Sequence, residues 1–296
     1  MKFSVYQSSR QGGRRYNQDR VAYAYSKESL LLTVADGMGG HLHGEIASQL
    51  TVRMLCEIFQ KAAHPRLEDP FAFLGDALLA VHNGIGDFAA QHDLADSPRT
   101  TCVACIVQDD TAYWAHVGDS RLYLFRGARL LARTRDHSKV QQLFDAGIIT
   151  EAQMLTHPER NRIYNCLGGM IRPEVELSRP MPLEEGDTLL LCSDGLWGWL
   201  SAAEIGALIG GYPIAQAVTH LLNHAEVRGG EDADNLSAIG MTWGGSSAHE
   251  QTLAGVFAET EKAVARAQPG REAARVSEEE IERALAELPL LVRKYT

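Results

Sequence analysis

The sequence has no long apolar run and no excess of positive charge, and each absence excludes a class of protein. No stretch approaches the ~18 consecutive apolar residues of a membrane span, and residues 1–5 lack the apolar core of a secretory signal. The 28 Lys and Arg are outnumbered by 38 Asp and Glu, which gives a formal net charge of −10. Such a chain is poorly suited to the phosphate backbone of nucleic acid. We therefore expect neither a membrane nor a nucleic-acid partner.

Cysteine is also scarce, with five residues at irregular spacing. An odd, irregular set argues against a disulfide framework and favours a reducing, cytoplasmic compartment. Cys102 and Cys105 form a Cys-x-x-Cys pattern, but they lie in the apolar run 101–107, which is typical of a strand. Because residues three apart on a strand point to opposite faces, buried core thiols are favoured over a metal or redox pair.

The apolar pattern predicts an α+β domain over residues 1–244. Amphipathic helices are predicted at 44–61, 70–90, 138–146, 150–155, from 201 and at 213–227. Strands are predicted at 3–6, 21–25, 30–35, 101–107, 112–117, 122–125, 130–133, 175–179, 188–192 and 236–243. Several strands follow one another too closely for helical crossovers, which indicates antiparallel pairing.

Residues 245–296 differ in composition from the rest of the chain. After the Gly-Gly-Ser-Ser segment at 244–247, the pattern predicts two charged amphipathic helices, the second capped by Ser277 and Glu280. We interpret them as a C-terminal helical extension that packs on the domain or on itself. The alternative is a docking segment for a kinase, a scaffold or a second copy of the chain.

Five aspartates stand at the ends of apolar runs, several of them beside glycine: Asp19, Asp36, Asp119, Asp194 and Asp234. A single Asp-Gly pair is more often a turn than a ligand. Five carboxylates that close or open strands can converge above a sheet, where they suit hard divalent cations such as Mg²⁺ and Mn²⁺. The pattern alone predicts a carboxylate metal site and does not name a reaction.

The order of the motifs is more specific than any one of them. They are Arg14-x-x-Asn17-Gln18-Asp19, Asp36-Gly37-Met38-Gly39-Gly40-His41, Thr100-Thr101, Val117-Gly118-Asp119-Ser120-Arg121, Asp136-His137-Ser138, Cys192-Ser193-Asp194-Gly195-Leu196-Trp197 and Asp234-Asn235-Leu236. This series resembles that of the metal-dependent protein phosphatases (the PPM family, type 2C), in their bacterial short form. The resemblance covers roughly residues 1–244, and it identifies residues 147–169 as the family's flap beside the active site.

The resemblance implies a central antiparallel β-sandwich flanked by helices, with two Mn²⁺ or Mg²⁺ ions at one end. Asp36 would bridge both ions, and the Gly37 carbonyl would ligate one of them. Asp194 and Asp234 would hold the first ion, and Asp19 would stand by the second through its water.

Two further residues receive roles from the resemblance: Asp119 would ligate a weaker third ion, and Arg14 would clamp the substrate phosphate. The implied activity is hydrolysis of phosphoserine and phosphothreonine in proteins by a metal-bridged hydroxide. The enzyme would oppose a bacterial serine/threonine kinase in the cytoplasm. Cys192 is then a strand residue and not a nucleophile.

The sequence departs from the family pattern at three positions. Gln18 stands where many relatives have Glu, and Arg99 stands where Gly is usual. Met38 replaces the general-acid histidine of animal relatives. His41 is the nearest other proton donor, although a role at the helix entry is favoured, and His137 is expected to fix a turn.

Three other functions are compatible with parts of this pattern. A phosphatase dedicated to a regulatory partner would carry a sensory domain, and none is visible in the sequence. A scaffold that has lost catalysis would lack Asp36, Asp194 or Asp234, and all three are present. A two-metal nuclease would need a basic stripe.

Overall fold

The computed structural model describes residues 1–38, 43–154 and 156–244. The predicted C-terminal extension, residues 245–296, and His41 lie outside these ranges. Within them, no helix combines the length and apolar character that crossing a membrane requires.

Two antiparallel sheets form the centre of the molecule. The first has the strand order β1-β11-β10-β6-β7, and the second has the order β2-β3-β4-β5-β8, with β9 also paired to β5. The strands of the first sheet are β1 Phe3–Arg10, β6 Arg121–Arg126, β7 Arg129–Arg133, β10 Asp187–Cys192 and β11 Leu236–Trp243. Those of the second are β2 Asp19–Tyr25, β3 Ser29–Asp36, β4 Cys102–Gln108, β5 Thr111–Val117, β8 Glu176–Leu177 and β9 Met181–Pro182.

Helices cover the outer face of each sheet. The helices of the described residues are α1 Gly44–Ala62, α2 Pro70–Gln91, α3 Lys139–Asp145, α4 Glu151–Met154, α5 Asp194–Trp197, α6 Ala202–Gly211 and α7 Ile214–Gly229, followed by a 3-10 turn at Gly230–Asp232. The apolar faces of α1 and α2 pack on the second sheet, and α5, α6 and α7 pack on the first. The predicted Ser201–Glu204 capping box begins α6. The four-residue α5 was not predicted, because one turn shows no apolar periodicity.

A third apolar cluster fills the space between the sheets. It contains Leu30, Leu32 and Val34 from the second sheet and Leu189, Leu191 and Ile239 from the first. With the two helix-covered clusters it gives four layers in the order α-β-β-α, which confirms the predicted fold class.

The cysteines follow the predicted geometry. Cys102 belongs to the helix-covered cluster and Cys105 to the cluster between the sheets, so the two thiols point to opposite faces of β4. All five cysteines are free. Burial raises the pKa of Cys102 to about 12 and also raises the pKa of Cys105 and Cys192. These thiols therefore stay protonated, as core residues rather than nucleophiles.

Candidate active site

The predicted carboxylates meet at one end of the sandwich. Asp19, the first residue of β2, is paired in register with Asp36, the last residue of β3. In the neighbouring sheet Asp194 follows the end of β10, and Asp234 precedes β11. Ser193 joins the two sheets at this point, because its hydroxyl donates a 2.6 Å hydrogen bond to Asp19 Oδ2.

Asp119 reaches the same end on the turn between β5 and β6. Its carbonyl accepts a 3.0 Å hydrogen bond from Trp197 Nε1, which ties the turn to α5. Gly118 just before it adopts a φ of +102°, where an added Cβ would lie 2.6 Å from Thr101 Cβ. The turn therefore needs glycine both for its backbone conformation and for its close packing.

Two other glycines let backbone segments cross beside the carboxylates. A Cβ on Gly37 would lie 2.4 Å from the Gly44 carbonyl oxygen, and one on Gly195 would lie 2.0 Å from that of Asn235. Both positions exclude any side chain. Gly37, predicted to offer its carbonyl to an ion, thus sits directly after Asp36 at a point of close chain approach.

Burial and mutual repulsion raise the pKa values of these carboxyl groups above their ordinary range. Burial, as the main cause, raises the pKa of Asp19 to about 6 and that of Asp194 to about 7. The pKa of Asp36 lies well above its usual range because of burial, followed by repulsion from Asp19 and Asp194. Burial and then repulsion from Asp194 also raise the pKa of Asp119. The site is strongly unfavourable for four negative charges without a counter-ion.

Two of these carboxylates also carry oxygens that nothing in the described chain satisfies. Asp19 Oδ1 and Asp119 Oδ1 are buried and have no hydrogen-bond partner among the described residues. A buried polar atom left in this state destabilises the fold unless a ligand completes it. Hard divalent cations take oxygen ligands of this kind, so the residues present fit Mn²⁺ or Mg²⁺.

Arg14 lies at the rim of the site and is paired with one of the predicted ligands. Its Nε and Nη2 donate to Asp234 Oδ1 and Oδ2, both at 2.7 Å. The Arg14 side chain is 56% exposed, so this fork stands at the solvent edge. Arg14, which the sequence resemblance assigns to the substrate phosphate, therefore lies beside the carboxylates with its fork on Asp234.

Asn235 organises the loop that carries Arg14, a role that sequence reasoning missed. Its Oδ1 accepts a 2.8 Å hydrogen bond from the backbone N–H of Gln18. Its Nδ2 donates to the carbonyls of Gln11 and Tyr16, each at 2.8 Å. The only sequence signal was its place in the Asp234-Asn235-Leu236 motif, because the partners lie more than two hundred residues away.

One of the three departures from the family pattern has a physical reason in the structure. Gln18 Nε2 donates a 2.9 Å hydrogen bond to Glu45 Oε2, so a glutamate at position 18 would set two carboxylates against each other. The Arg99 carbonyl accepts from the Met38 N–H at 3.0 Å, but this backbone contact does not explain the arginine side chain.

His137 fixes the turn before Asp119, as predicted. Its ring Nδ1 accepts from the Gly118 N–H at 3.1 Å and from Asn165 Nδ2 at 2.7 Å. The backbone N–H of His137 donates to the Gly118 carbonyl at 2.9 Å. Nε2 then carries the ring proton and faces Glu176 at 3.2 Å. His116, His137 and Glu176 lie close enough for a metal ion. If His137 Nε2 bound a metal ion, the ring proton would move to Nδ1, where it would face the Gly118 N–H that Nδ1 now accepts. We therefore interpret this group as a structural contact and not as a metal site.

Comparisons with known proteins find relatives of this chain both by sequence and by fold. The family model described as protein phosphatase 2C matches residues 7–239. A putative protein phosphatase 2C-type from Streptococcus pyogenes is 34% identical over 228 residues, which cover 76% of this chain and 92% of the relative. The crystal structure of serine/threonine phosphatase Stp1 from Staphylococcus aureus aligns with a TM-score of 0.76 at 29% identity, covering 83% of this chain and 96% of that one. The catalytic domain of the phosphatase PstP, solved in complex with two manganese ions, aligns with a TM-score of 0.67 at 30% identity, covering 81% and 97%.

Proposed function

The chain belongs to the protein phosphatase 2C family, and on that premise we propose that it hydrolyses phosphoserine and phosphothreonine in proteins with two Mn²⁺ or Mg²⁺ ions. The observation that carries the proposal is the buried group of carboxylates with raised pKa values and unpartnered oxygens. Among the relatives, the catalytic domain of PstP supports the proposal, because its crystal structure contains two manganese ions.

We assign the ligands as the motifs indicate. Asp36 would serve both ions and the Gly37 carbonyl one of them, and Asp194 and Asp234 would hold the first ion. Asp19 would stand by the second ion through its water. When bound, such a pair of ions activates a shared water near neutral pH and neutralises the phosphate oxygens.

The remaining residues orient the substrate and set the proton balance. Asp119, at the edge of the cluster, is proposed to ligate a weaker third ion. The Arg14 fork clamps two phosphate oxygens, and to do so it must leave Asp234. Met38 has no proton to give, so we propose that solvent water protonates the departing alkoxide.

The cellular setting is part of the proposal. We propose that the substrates are proteins phosphorylated by a bacterial serine/threonine kinase, and that the enzyme acts in the cytoplasm, in keeping with five free cysteines. Residues 1–244 are proposed as the catalytic domain. Residues 245–296 are proposed as the helical extension, with docking of a partner as its alternative role.

Hydrolysis of a phosphothreonine peptide by EDTA-stripped protein, with and without added Mn²⁺, tests the reaction. Turnover restored by Mn²⁺ and absent from the Asp36→Ala variant supports the proposal. Folded protein that shows no turnover with any divalent ion contradicts it, and would favour a scaffold function.

A further inference from the structure

Two neighbouring apolar residues, Met170 and Ile171, project from the surface of the described ranges. Met170 is 95% exposed and Ile171 is 85% exposed. Among the large apolar side chains that the described part of the chain exposes, no other two are adjacent in sequence. Single exposed apolar residues are ordinary on protein surfaces, whereas contiguous apolar surface is typical of an interaction site. The pair is therefore a candidate contact surface.

The pair lies in a loop, residues 165–174, whose base is closed by the side chain of Asn165. Asn165 Nδ2 donates a 2.7 Å hydrogen bond to the Glu174 carbonyl, and its Oδ1 accepts a 3.2 Å hydrogen bond from the Glu174 N–H. Leu167 and Pro173, on either side of the exposed pair, are both buried. We call residues 165–174 the tip loop. Its two buried anchors and its closed base hold the exposed pair at a fixed place.

A close backbone contact fixes the same loop at Gly168. The Gly168 N–H donates a 3.1 Å hydrogen bond to His82 Nδ1 on α2, and the Gly168 carbonyl accepts one from the Ser97 hydroxyl. Gly168 has a φ of +85°, and an added Cβ would lie 2.1 Å from the Pro98 carbonyl oxygen. Only glycine allows the chain to turn and approach its neighbour in this way.

The tip loop is attached to the carboxylate end of the sandwich. Leu167 pairs antiparallel with Thr100, and Thr100 pairs antiparallel with Gly37, the residue after Asp36. Because paired segments lie ~4.8 Å apart, two such steps place Leu167 about 10 Å from Gly37. The three residues from there to Met170 add at most about 10 Å. The exposed pair therefore lies within about 20 Å of the proposed metal site.

A polypeptide whose phosphate lies at that site can reach the exposed pair. An extended chain advances ~3.3 Å per residue, so about six residues span this distance. The C-terminal extension, in contrast, follows Gly244, whose N–H donates to the Lys2 carbonyl at 2.9 Å. The eight residues of β11 carry the chain roughly 25 Å from Asp234 to this opposite end of the sandwich. The substrate is thus the occupant that the position of the pair favours.

We propose that Met170 and Ile171 form a docking site for an apolar side chain of the substrate polypeptide, within about six residues of its phosphorylated residue. The contact removes apolar surface of both partners from water, which favours binding. The inference rests on the proposed phosphatase function and adds a substrate class to it: phosphoproteins with a large apolar residue near the phosphothreonine or phosphoserine.

A phosphothreonine peptide panel tests the inference in the full-length, Mn²⁺-loaded enzyme. In a peptide of Ser and Gly, one position at a time, up to about six residues on either side of the phosphothreonine, carries Leu or Ser. At one or more positions we expect kcat/KM for Leu to exceed that for Ser by about fivefold, the effect of burying part of one leucine side chain. The difference should lie in KM, because the contact is the same in the ground and transition states.

Variants assign the preference to the tip loop. In the double variant Met170→Ser, Ile171→Ser the Leu-to-Ser ratio of kcat/KM should fall to about one. Hydrolysis of p-nitrophenyl phosphate should be unchanged, because this substrate has no polypeptide to dock. Val227→Ser is the matched control, since Val227 is 82% exposed on α7, which packs on the other sheet. This control should retain the preference for Leu.

The outcomes separate this inference from the function on which it rests. Equal kcat/KM for the Leu and Ser peptides at every position, or a preference that the double variant retains, overturns the docking proposal while leaving a phosphatase. A wild-type dimer in sedimentation velocity that the double variant loses would assign the pair to a second copy of the chain, and also overturns it. Absence of Mn²⁺-dependent hydrolysis of every peptide and of p-nitrophenyl phosphate overturns the proposed function, and the docking proposal with it.

Discussion

The two ends of strand β10 carry aspartates in opposite electrostatic environments. Asp187, at its start, accepts hydrogen bonds from Arg126 Nε and Nη2 at 2.8 and 2.9 Å, and one from the Glu184 N–H at 2.8 Å. Asp194, just past its end, lies among other carboxylates, and its pKa is raised to about 7. One acid is satisfied by the chain itself, and the other is not.

This difference separates aspartates that are paired with arginine inside the protein from aspartates that we propose as metal ligands. Asp136, buried against Arg121, belongs with Asp187. Asp19 and Asp119, with buried unpartnered oxygens, belong with Asp194. Residue type is the same in both groups, and Asp19 and Asp119 are as deeply buried as Asp136 and Asp187. What distinguishes them is whether the protein supplies the compensating charge, and where it does not, we propose that a divalent cation does.

The largest expected effect comes from the unsatisfied group. Asp36→Asn should lower kcat at least about a hundredfold, because even residues outside a metal's ligand set typically cost ~10–100-fold when lost. It should not lower the melting temperature of the metal-free protein, since it removes a carboxyl group whose ionisation is opposed by burial and by the neighbouring carboxylates. Steady-state kinetics with Mn²⁺ and thermal melts measure both.

Asp187→Asn is the matched control for that variant, because Asp187 lies at the other end of β10 and is already paired with Arg126. It should lower the melting temperature by several degrees and leave kcat within about threefold. A near-wild-type kcat in Asp36→Asn would break the distinction between the two groups.

A loss of stability is expected next, from the satisfied group. Asp136→Asn leaves the buried Arg121 charge without its counter-ion, and breaking such a pair typically costs about 3–5 kcal/mol. Urea unfolding of the metal-free protein measures the loss. A change below about 0.5 kcal/mol, the usual range for surface substitutions, would show that this pair does not support the fold.

The pH dependence of stability provides a third test. The pKa of Asp194 is about 7 in the folded protein, above its ordinary 3.8. The folded state then holds the proton to higher pH than the unfolded chain, so this residue makes stability fall as pH rises from about 4 to 7. The melting temperature of metal-free Asp194→Asn should exceed that of the wild type at pH 7.5, by roughly 5 °C, and the gap should shrink toward pH 5.

The difference between the two proteins is the informative quantity. Burial lowers the pKa of His116 and His82, which makes stability fall as pH drops below about 6.5. These histidines act equally in both proteins and cancel in the difference. A gap that stays constant from pH 5 to 7.5 would argue against the raised pKa of Asp194.

The smallest effect on stability is expected for Arg14. Its ion pair with Asp234 lies at the candidate metal site, although it has the same arginine–aspartate geometry as the pairs of Asp136 and Asp187. Because the pair is half-exposed, Arg14→Ala should change the free energy of unfolding by less than about 1 kcal/mol. It should raise KM for a phosphopeptide about tenfold, as the loss of a charge-assisted phosphate contact predicts. A large loss of stability with an unchanged KM would make Arg14 a structural residue.

Sequence patterns located the acids but not what surrounds them. Apolar runs fixed where β2, β3 and β10 begin or end, and hence where Asp19, Asp36 and Asp194 stand. The apolar pattern does not distinguish Asp187 from Asp194, since both adjoin the same run, and only the motif around Asp194 singled it out. Their partners, Arg126 and the opposing carboxylates, come from other strands and exist only after the sheets assemble.

Long-range hydrogen bonds were beyond sequence reasoning for the same reason. The three bonds between Asn235 and the Arg14 loop, and the pairing of Arg14 with Asp234, join residues about 220 positions apart. A motif can mark such residues as a group. It does not give the direction in which each side chain points.

Calorimetric titration of Mn²⁺ into the EDTA-stripped protein at pH 7.5 tests the central claim most directly, with Asp36→Asn and Asp187→Asn measured beside the wild type. The wild type and Asp187→Asn should each bind two or more ions per chain, and Asp36→Asn should lose this binding while remaining folded. Equal Mn²⁺ binding by Asp36→Asn and the wild type would contradict the claim that the unsatisfied carboxylates form the metal site.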